Sequence, residues 1–342
     1  MWSPLSVISS PPLADEPQIP TTMRAAVLVA PRTLEIQETP TPIPEPNEVL
    51  VRLEGCGVCG SNLPVWQGRE WFQYPLEPGK PGHEAWGRVA QLGAEAAGAT
   101  DLVVGDRVAI LSYAGFAEYD VAAATDVVKL PPALWEDPFP GEPLACAMNV
   151  FVRSGIQPGQ TVAIIGIGFL GALLTELAAN AGARVIAIAR RPFALEVARR
   201  FGAAHTIVMD DHWRIIDEVK ALTGDEGCDC VVEAVGLQWP LDLAAELTRV
   251  RGRLVIAGYH QDGPRQVNMQ LWNWRGLDVI NAHERDNAVY VAGLQRAVTA
   301  AATGQIDPQP LFTHIFPLAK LGDAFALMEE RPPGFIKSLI TL

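Results

Sequence analysis

Residues 162–171 read Val162-Ala-Ile-Ile-Gly166-Ile-Gly168-Phe169-Leu170-Gly171, a G-x-G-x-x-G run between an apolar β-like stretch and a helical one. Gly166 permits a tight turn, Gly168 lets the backbone approach a pyrophosphate, and Gly171 lets the helix pack close to the strand. The helix start then offers free N–H groups to phosphates. The surrounding pattern is the one such a loop requires. Strand-like runs at 161–165, 184–189, 207–208, 229–233 and 253–257 alternate with helical runs at 171–181, 193–201, 215–222 and 241–248. This alternation predicts an α/β chain with a doubly wound parallel sheet, binding a dinucleotide across the strand ends.

Such a site usually ends its second strand in a carboxylate that holds both ribose hydroxyls. Here the strand is Arg184-Val-Ile-Ala-Ile-Ala189, followed by Arg190-Arg191. The acid is absent, Ala189 leaves room for a 2′-phosphate, and arginine can hold one bidentately. The pattern favours NADP(H) over NAD(H), unless the two arginines simply open the next helix and face water.

The preceding half is different. Short β-like runs at 24–30, 48–55, 87–93, 107–110 and 117–121 are separated by Pro and Gly and read as an all-β region. A helix over 145–154 marks the change. After about residue 280 the pattern predicts a helix over 289–303 and a final strand over 336–341.

Composition narrows the partners. With 26 Lys+Arg against 39 Asp+Glu, the net charge of −13 repels phosphate backbones, which argues against nucleic acid. The longest apolar run, Val162 to Leu174, is too short for a membrane span and carries three glycines. Five cysteines, an odd count, make no disulfide framework and favour a reducing cytoplasm. Residues 1–22 hold five prolines and no Lys or Arg, so they read as a flexible extension rather than a signal peptide.

Three further segments bear on chemistry: Gly55-Cys56-Gly-Val-Cys59-Gly-Ser61-Asn62, Gly82-His83-Glu84 and Gly141-Glu142-Pro143. Singly each is weak. Together they supply a thiolate, an imidazole and carboxylates, a mixture that suits zinc with one position left open.

With Gly-Val-Cys59-Gly-Ser61, Pro-Gly-His83-Glu84, Gly105-Asp106-Arg107-Val108, Glu142-Pro-Leu and the Gly166 loop in this order, the chain resembles the zinc-dependent medium-chain dehydrogenases. The resemblance covers nearly all of 23–342. It implies a GroES-like β-rich catalytic domain over 23–150 and 281–342, and a Rossmann domain over 151–280. Cys59 and His83 would be zinc ligands, with Glu84 a ligand or an exchangeable near-ligand. Glu142 stands where simple alcohol dehydrogenases have a cysteine and polyol dehydrogenases a glutamate. Ser61 would take the substrate hydroxyl's proton. Val235, Gly258 and Tyr259 would position the nicotinamide, and Lys337 would face the pyrophosphate. Cys56 and Cys146 are expected to pack rather than ligate.

The chain departs from the family at several positions. Asn62 replaces an aspartate that supports the histidine ligand. Pro64 stands where many relatives carry a proton-relay histidine. No cysteine lies between Cys59 and Cys146, so one catalytic zinc and no structural zinc is the expectation. His283 has no family role and reads as a cleft or interface residue. Trp66, Trp71 and Trp86 lie near the ligand motifs and could line a substrate pocket, Asn62 with them, or pack in the core.

The implied activity is hydride transfer between NADP(H) and an alcohol/carbonyl pair, with a secondary alcohol, polyol or sugar-like substrate. The resemblance also implies a homodimer or homotetramer paired through an edge strand. Two alternatives remain: a zinc-free quinone or enoyl reductase on the same fold, and a cofactor-binding protein without catalysis.

Overall fold

The computed structural model describes residues 19–342. The first half supplies strands β1 (Thr22–Ala30), β2 (Thr33–Pro40), β3 (Glu48–Gly57), β4 (Ala85–Leu92), β5 (Arg107–Ile110), β6 (Tyr119–Ala123) and β7 (Val127–Lys129), with short helices α1 (Leu63–Gln67) and α2 (Ala96–Ala99). Helix α3 (Gly141–Ser154) leads to β8 (Thr161–Ile165), α4 (Phe169–Asn180), β9 (Arg184–Ala189), α5 (Pro192–Arg200), β10 (His205–Val208) and α6 (His212–Thr223). Then come β11 (Cys228–Glu233), α7 (Gln238–Leu247), β12 (Thr248–Ile256), α8 (Met269–Arg275) and β13 (Asp278–Asn281). The chain ends with α9 (Asn287–Ala302), β14 (Phe312–Pro317), α10 (Leu321–Glu330) and β15 (Lys337–Thr341).

Strands β8 to β13 form one parallel sheet in the order β10-β9-β8-β11-β12-β13. The chain winds outward from β8 to β10, then crosses back to β11 on the other side of β8. The crevice beyond the C-terminal ends of β8 and β11 is the point where the winding reverses, the general place for a dinucleotide. Successive residues of β8 are buried on opposite faces. Val162 and Ile164 pack with α3 and α4, while Ala163 and Ile165 pack with α6 and α7. That two-sided burial is why the strands read as continuous apolar runs. A side chain at Gly171 would put its Cβ 1.9 Å from the Gly166 carbonyl oxygen, so only glycine lets α4 start this close to β8.

The second sheet runs β14-β15-β3-β4-β5-β7, with β6 also paired to β3. Its C-terminal strand β15 sits between β14 and β3, so the chain's end returns to the sheet built by its beginning.

Several elements differ from the sequence reading. Helix α3 begins at Gly141, which puts Glu142 in its first turn. Strands β2, β7, β13 and β14 and helices α1, α2, α8 and α10 have no counterpart in the sequence reading. β13 and β2 are short or polar and largely exposed, so they show no buried face to read. Of the expected N-terminal extension, residues 1–18 lie outside the described residues, and Thr22 already pairs with Pro40 in the first hairpin. Among the described residues, no helix is long and apolar enough to cross a membrane.

Helix α4 is tied to the C-terminal part of the chain by a carboxylate. Glu176 accepts the Asp307 N–H at 3.2 Å. Burial, with the nearby Asp307 charge, pushes the Glu176 pKa up to about 7. The folded state therefore holds this proton more tightly than the unfolded chain. The contribution is fully present below the unfolded carboxyl pKa and is lost as pH rises through about 7. Glu176→Gln keeps the acceptor and removes the charge. It is expected to be neutral near pH 4 and to stabilise by about 1 kcal/mol at pH 8, a figure discounted for partial exposure. Urea midpoints at the two pH values check this, and a pH-independent difference would refute it.

Candidate active site

Two chain segments meet because β3 and β4 pair antiparallel, with Cys56 opposite Ala85. The turn leaving β3 carries Cys59, and the residues entering β4 are His83 and Glu84. Val58 donates to the Ser338 carbonyl at 3.0 Å, so β15 anchors the same turn. The result is that Cys59, His83 and Glu84 offer Sγ, a ring nitrogen and a carboxylate oxygen all within 4.8 Å of one another. A Cβ on Gly57 would lie 1.8 Å from Glu84 Oε2, so only glycine here leaves the carboxylate its place.

The surrounding hydrogen bonds prepare these groups. His83 Nδ1 lies 2.9 Å from the Pro81 carbonyl, which can only accept, so Nδ1 carries its proton and Nε2 is the free nitrogen. Asn62 braces both segments: its Oδ1 accepts the Cys59 N–H at 3.1 Å and its Nδ2 donates to the same Pro81 carbonyl at 3.1 Å. Burial works to lower the His83 pKa. Cys59, with Glu142 and Glu84, outweighs it and holds the ring's pKa well above its usual value. Ser61 Oγ donates to Cys59 Sγ at 3.2 Å.

The structure gives four of the expected site residues the following surroundings. Asn62 is 2% exposed and reaches His83 only through the shared Pro81 carbonyl, so it lines no substrate pocket. Trp66 is 6% exposed and stacks on Phe325 with ring centroids 5.1 Å apart, because α1 turns it into the core. Lys337 is not a free cation. It is buried, with Nζ 2.5 Å from Glu84 Oε2 and 5.0 Å from the centre of the Phe169 ring. Burial would lower its pKa, but the Glu84 and Cys59 charges keep it raised. Glu142 adjoins the three-ligand group: its Oε1 accepts the Tyr290 hydroxyl, and its charge acts on His83.

Other residues escaped the sequence reading. Tyr290 on α9 reaches both Glu142 and Cys146, the latter with Oη 2.7 Å from Sγ. Desolvation comes first in raising the pKa of both Tyr290 and Cys146, and the Glu142 charge adds to it. Tyr113, exposed in the connection between β5 and β6, brings its ring within 6.5 Å of His83. Trp86 is buried, and Trp71 remains exposed. Only chain distance hid Tyr290, which no local pattern links to Glu142.

The glycine loop lies beside this cluster. Gly166 and Gly168 join β8 to α4, Phe169 stacks on Phe312 at 5.7 Å, and Leu170 is half-buried. Lys337 therefore bridges the ligand cluster and the first residue of α4. At the end of β9, Ala189 is buried and Arg190 exposed. Arg191 Nη1 donates to the Phe335 carbonyl at 2.5 Å. Burial comes first in lowering the Arg191 pKa, and the nearby charges of Arg331 and Arg190 contribute. Val235, Gly258 and Tyr259 lie in the loops that leave β11 and β12. Tyr259 is exposed and stacks on His283 at 5.6 Å.

Known proteins resemble the chain in the same two halves. The alcohol dehydrogenase GroES-like domain family matches residues 45–132, and the zinc-binding dehydrogenase family matches residues 170–296. Sorbitol dehydrogenase of Gallus gallus is 30% identical over 335 residues, covering 85% of this chain and 89% of that protein. Sorbitol dehydrogenase of Bacillus subtilis is 27% identical over 340 residues, covering 90% and 93%. A Sinorhizobium meliloti structure described as a zinc-binding dehydrogenase bound to NADP superposes with TM-score 0.80 at 26% identity, covering 94% of this chain and 100% of that one.

Proposed function

The chain belongs to the zinc-dependent medium-chain dehydrogenases, oxidoreductases acting on alcohols, and from that premise we propose a zinc-dependent, NADP(H)-preferring dehydrogenase of a secondary alcohol, polyol or sugar-like substrate. The observation that carries it is the convergence of Cys59, His83 and Glu84 beside the start of α4. The residues fit the metal. A thiolate, a nitrogen freed by the Nδ1 hydrogen bond and a carboxylate make a borderline-soft donor set of the kind zinc prefers. Zinc held there would supply Lewis-acid polarisation of an alcohol or carbonyl oxygen, and a nicotinamide cofactor would accept or give the hydride.

The chain's own residues do the rest. Ser61, half-buried beside Cys59, is placed to receive a hydroxyl proton and pass it outward. Lys337 balances the Glu84 charge, so the cluster does not hold two uncompensated anions in a buried place. Glu142, held by Tyr290, stands ready beside the cluster as a fourth donor. Tyr113 gives the open side an aromatic face suited to the C–H face of a polyol. The relatives named for sorbitol support that substrate class.

NADP(H) preference rests on the arginines and on the NADP found in the Sinorhizobium relative. Arg190→Ala is expected to weaken NADPH binding about 10–100-fold, the ~1.5–3 kcal/mol of a charge-assisted hydrogen bond, and to leave NADH unchanged. The decisive experiment is zinc content per subunit of protein purified without chelator, with NADPH and NADH titrations on wild type and this variant. About one zinc with NADPH preferred supports the reading. No zinc with NADPH still bound would redirect it to a reductase of quinones or enones. Equal losses for the two nucleotides would make Arg190 a plain surface residue.

A further inference from the structure

Glu233, the last residue of β11, is completely buried, yet no alcohol chemistry requires a carboxylate there. Both of its oxygens are engaged. Oε1 accepts the Val235 and Gly236 N–H groups at 2.7 and 2.8 Å, and Oε2 lies 3.0 Å from His260 Nε2. Its main-chain carbonyl accepts from Ala257 and Gly258, both at 2.8 Å. One residue thus binds the loop that follows its own strand and the loop that follows β12.

The chain of bonds continues outward. Arg265 Nε donates to His260 Nδ1 at 2.9 Å. A guanidinium can only donate, so His260 Nδ1 must present its lone pair, and the imidazole proton sits on Nε2, facing Glu233. Arg265 Nη2 then donates to the Gly236 carbonyl at 2.8 Å. The Gly236 residue is held at its N–H by Glu233 and at its carbonyl by Arg265. A carboxylate, a neutral imidazole with a fixed tautomer and a guanidinium close a ring around it.

The place of this ring gives it meaning. β11 adjoins β8 where the winding reverses. A Cβ on Gly166 would lie 2.4 Å from Val235 Cγ2, so the loop fixed by Glu233 packs directly on the glycine loop. On its other side stands Tyr259, with its exposed ring against His283. If this ring only filled space, apolar side chains of similar volume would close it at no loss of stability. What a satisfied polar network adds is a fixed position for the peptides it holds.

We propose that Glu233, His260 and Arg265 are positioning residues that fix Val235–Gly236 and Gly258–Tyr259 as the wall on which the nicotinamide half of the cofactor docks. This rests on the dinucleotide reading above and extends it to residues that touch no substrate.

The test compares two replacements of His260. His260→Gln keeps a donor toward Glu233 and an acceptor toward Arg265, whereas His260→Leu removes both. The readout is direct binding of NADPH and of its adenine half alone (2′,5′-ADP), followed by kcat and KM with the best alcohol found. His260→Leu is expected to raise the NADPH Kd at least ~10-fold while changing the 2′,5′-ADP Kd less than ~2-fold. His260→Gln is expected to stay within ~3-fold of wild type on both. Arg265→Met serves as the second variant should His260→Leu not fold, with the same expected split between the two ligands. A folded His260→Leu or Arg265→Met protein that binds NADPH as wild type does would overturn the proposal. So would equal weakening of NADPH and 2′,5′-ADP, which marks a general loss of structure. Wild-type protein that binds neither NADPH nor NADH would instead overturn the dinucleotide reading, and this proposal with it.

Discussion

Cys59→Ala is expected to lose zinc and activity together. Cys59 is the only thiol in the three-ligand group, and its neighbours His83 and Glu84 cannot replace it. Changing residues that merely support a ligand already costs about 10–100-fold in affinity or activity, so removing a ligand is expected to cost about 10³-fold or more in kcat/KM. Elemental analysis should find well under one zinc per subunit. Dinucleotide binding should survive, because the glycine loop draws on other elements. A metal-free Cys59→Ala protein with full activity would falsify the zinc reading and favour a metal-independent reductase.

The second large effect is on stability. Lys337→Met removes the ammonium ion-paired with the completely buried Glu84 carboxylate. An unpaired buried charge costs about 3–5 kcal/mol, well beyond the lost packing of one methylene stem. In chelator-treated protein, where no metal masks the effect, the urea midpoint should fall accordingly. The double variant Lys337→Met, Glu84→Gln should recover most of the loss, since no buried charge remains. If it recovers none, Lys337 acts through packing on Phe169 alone, and the ion pair contributes little.

These two variants fall on opposite sides of what could be read in advance. Cys59, His83 and Glu84 stand in short local motifs beside β-like runs, although the pairing of β3 with β4 that brings them together is seen only in the structure. Lys337 and Glu84 are 253 residues apart, and nothing near either residue names the other. The parallel sheet was legible because β8, β9, β11 and β12 carry apolar residues for two buried faces. β13 and α8 escaped notice because their side chains remain largely exposed, and an exposed element needs no periodicity. For Trp66 the sequence leaves pocket and core both open, because its place beside the ligand motifs does not say which way α1 turns; the structure sets its ring on Phe325, far along the chain.

The sequence by itself determined the parts whose physics is local: the glycine loop, the alternation of strands and helices, the ligand residue types and the missing acid after β9. Each depends on backbone freedom, periodicity or donor chemistry within about ten residues. Only the tertiary structure decided which charge meets which. It set Lys337 on Glu84, Tyr290 on Glu142, and His260 between Glu233 and Arg265. A buried polar group must find a partner, and it takes whichever one the packed strands and helices bring within about 3 Å, a choice made by the fold as a whole.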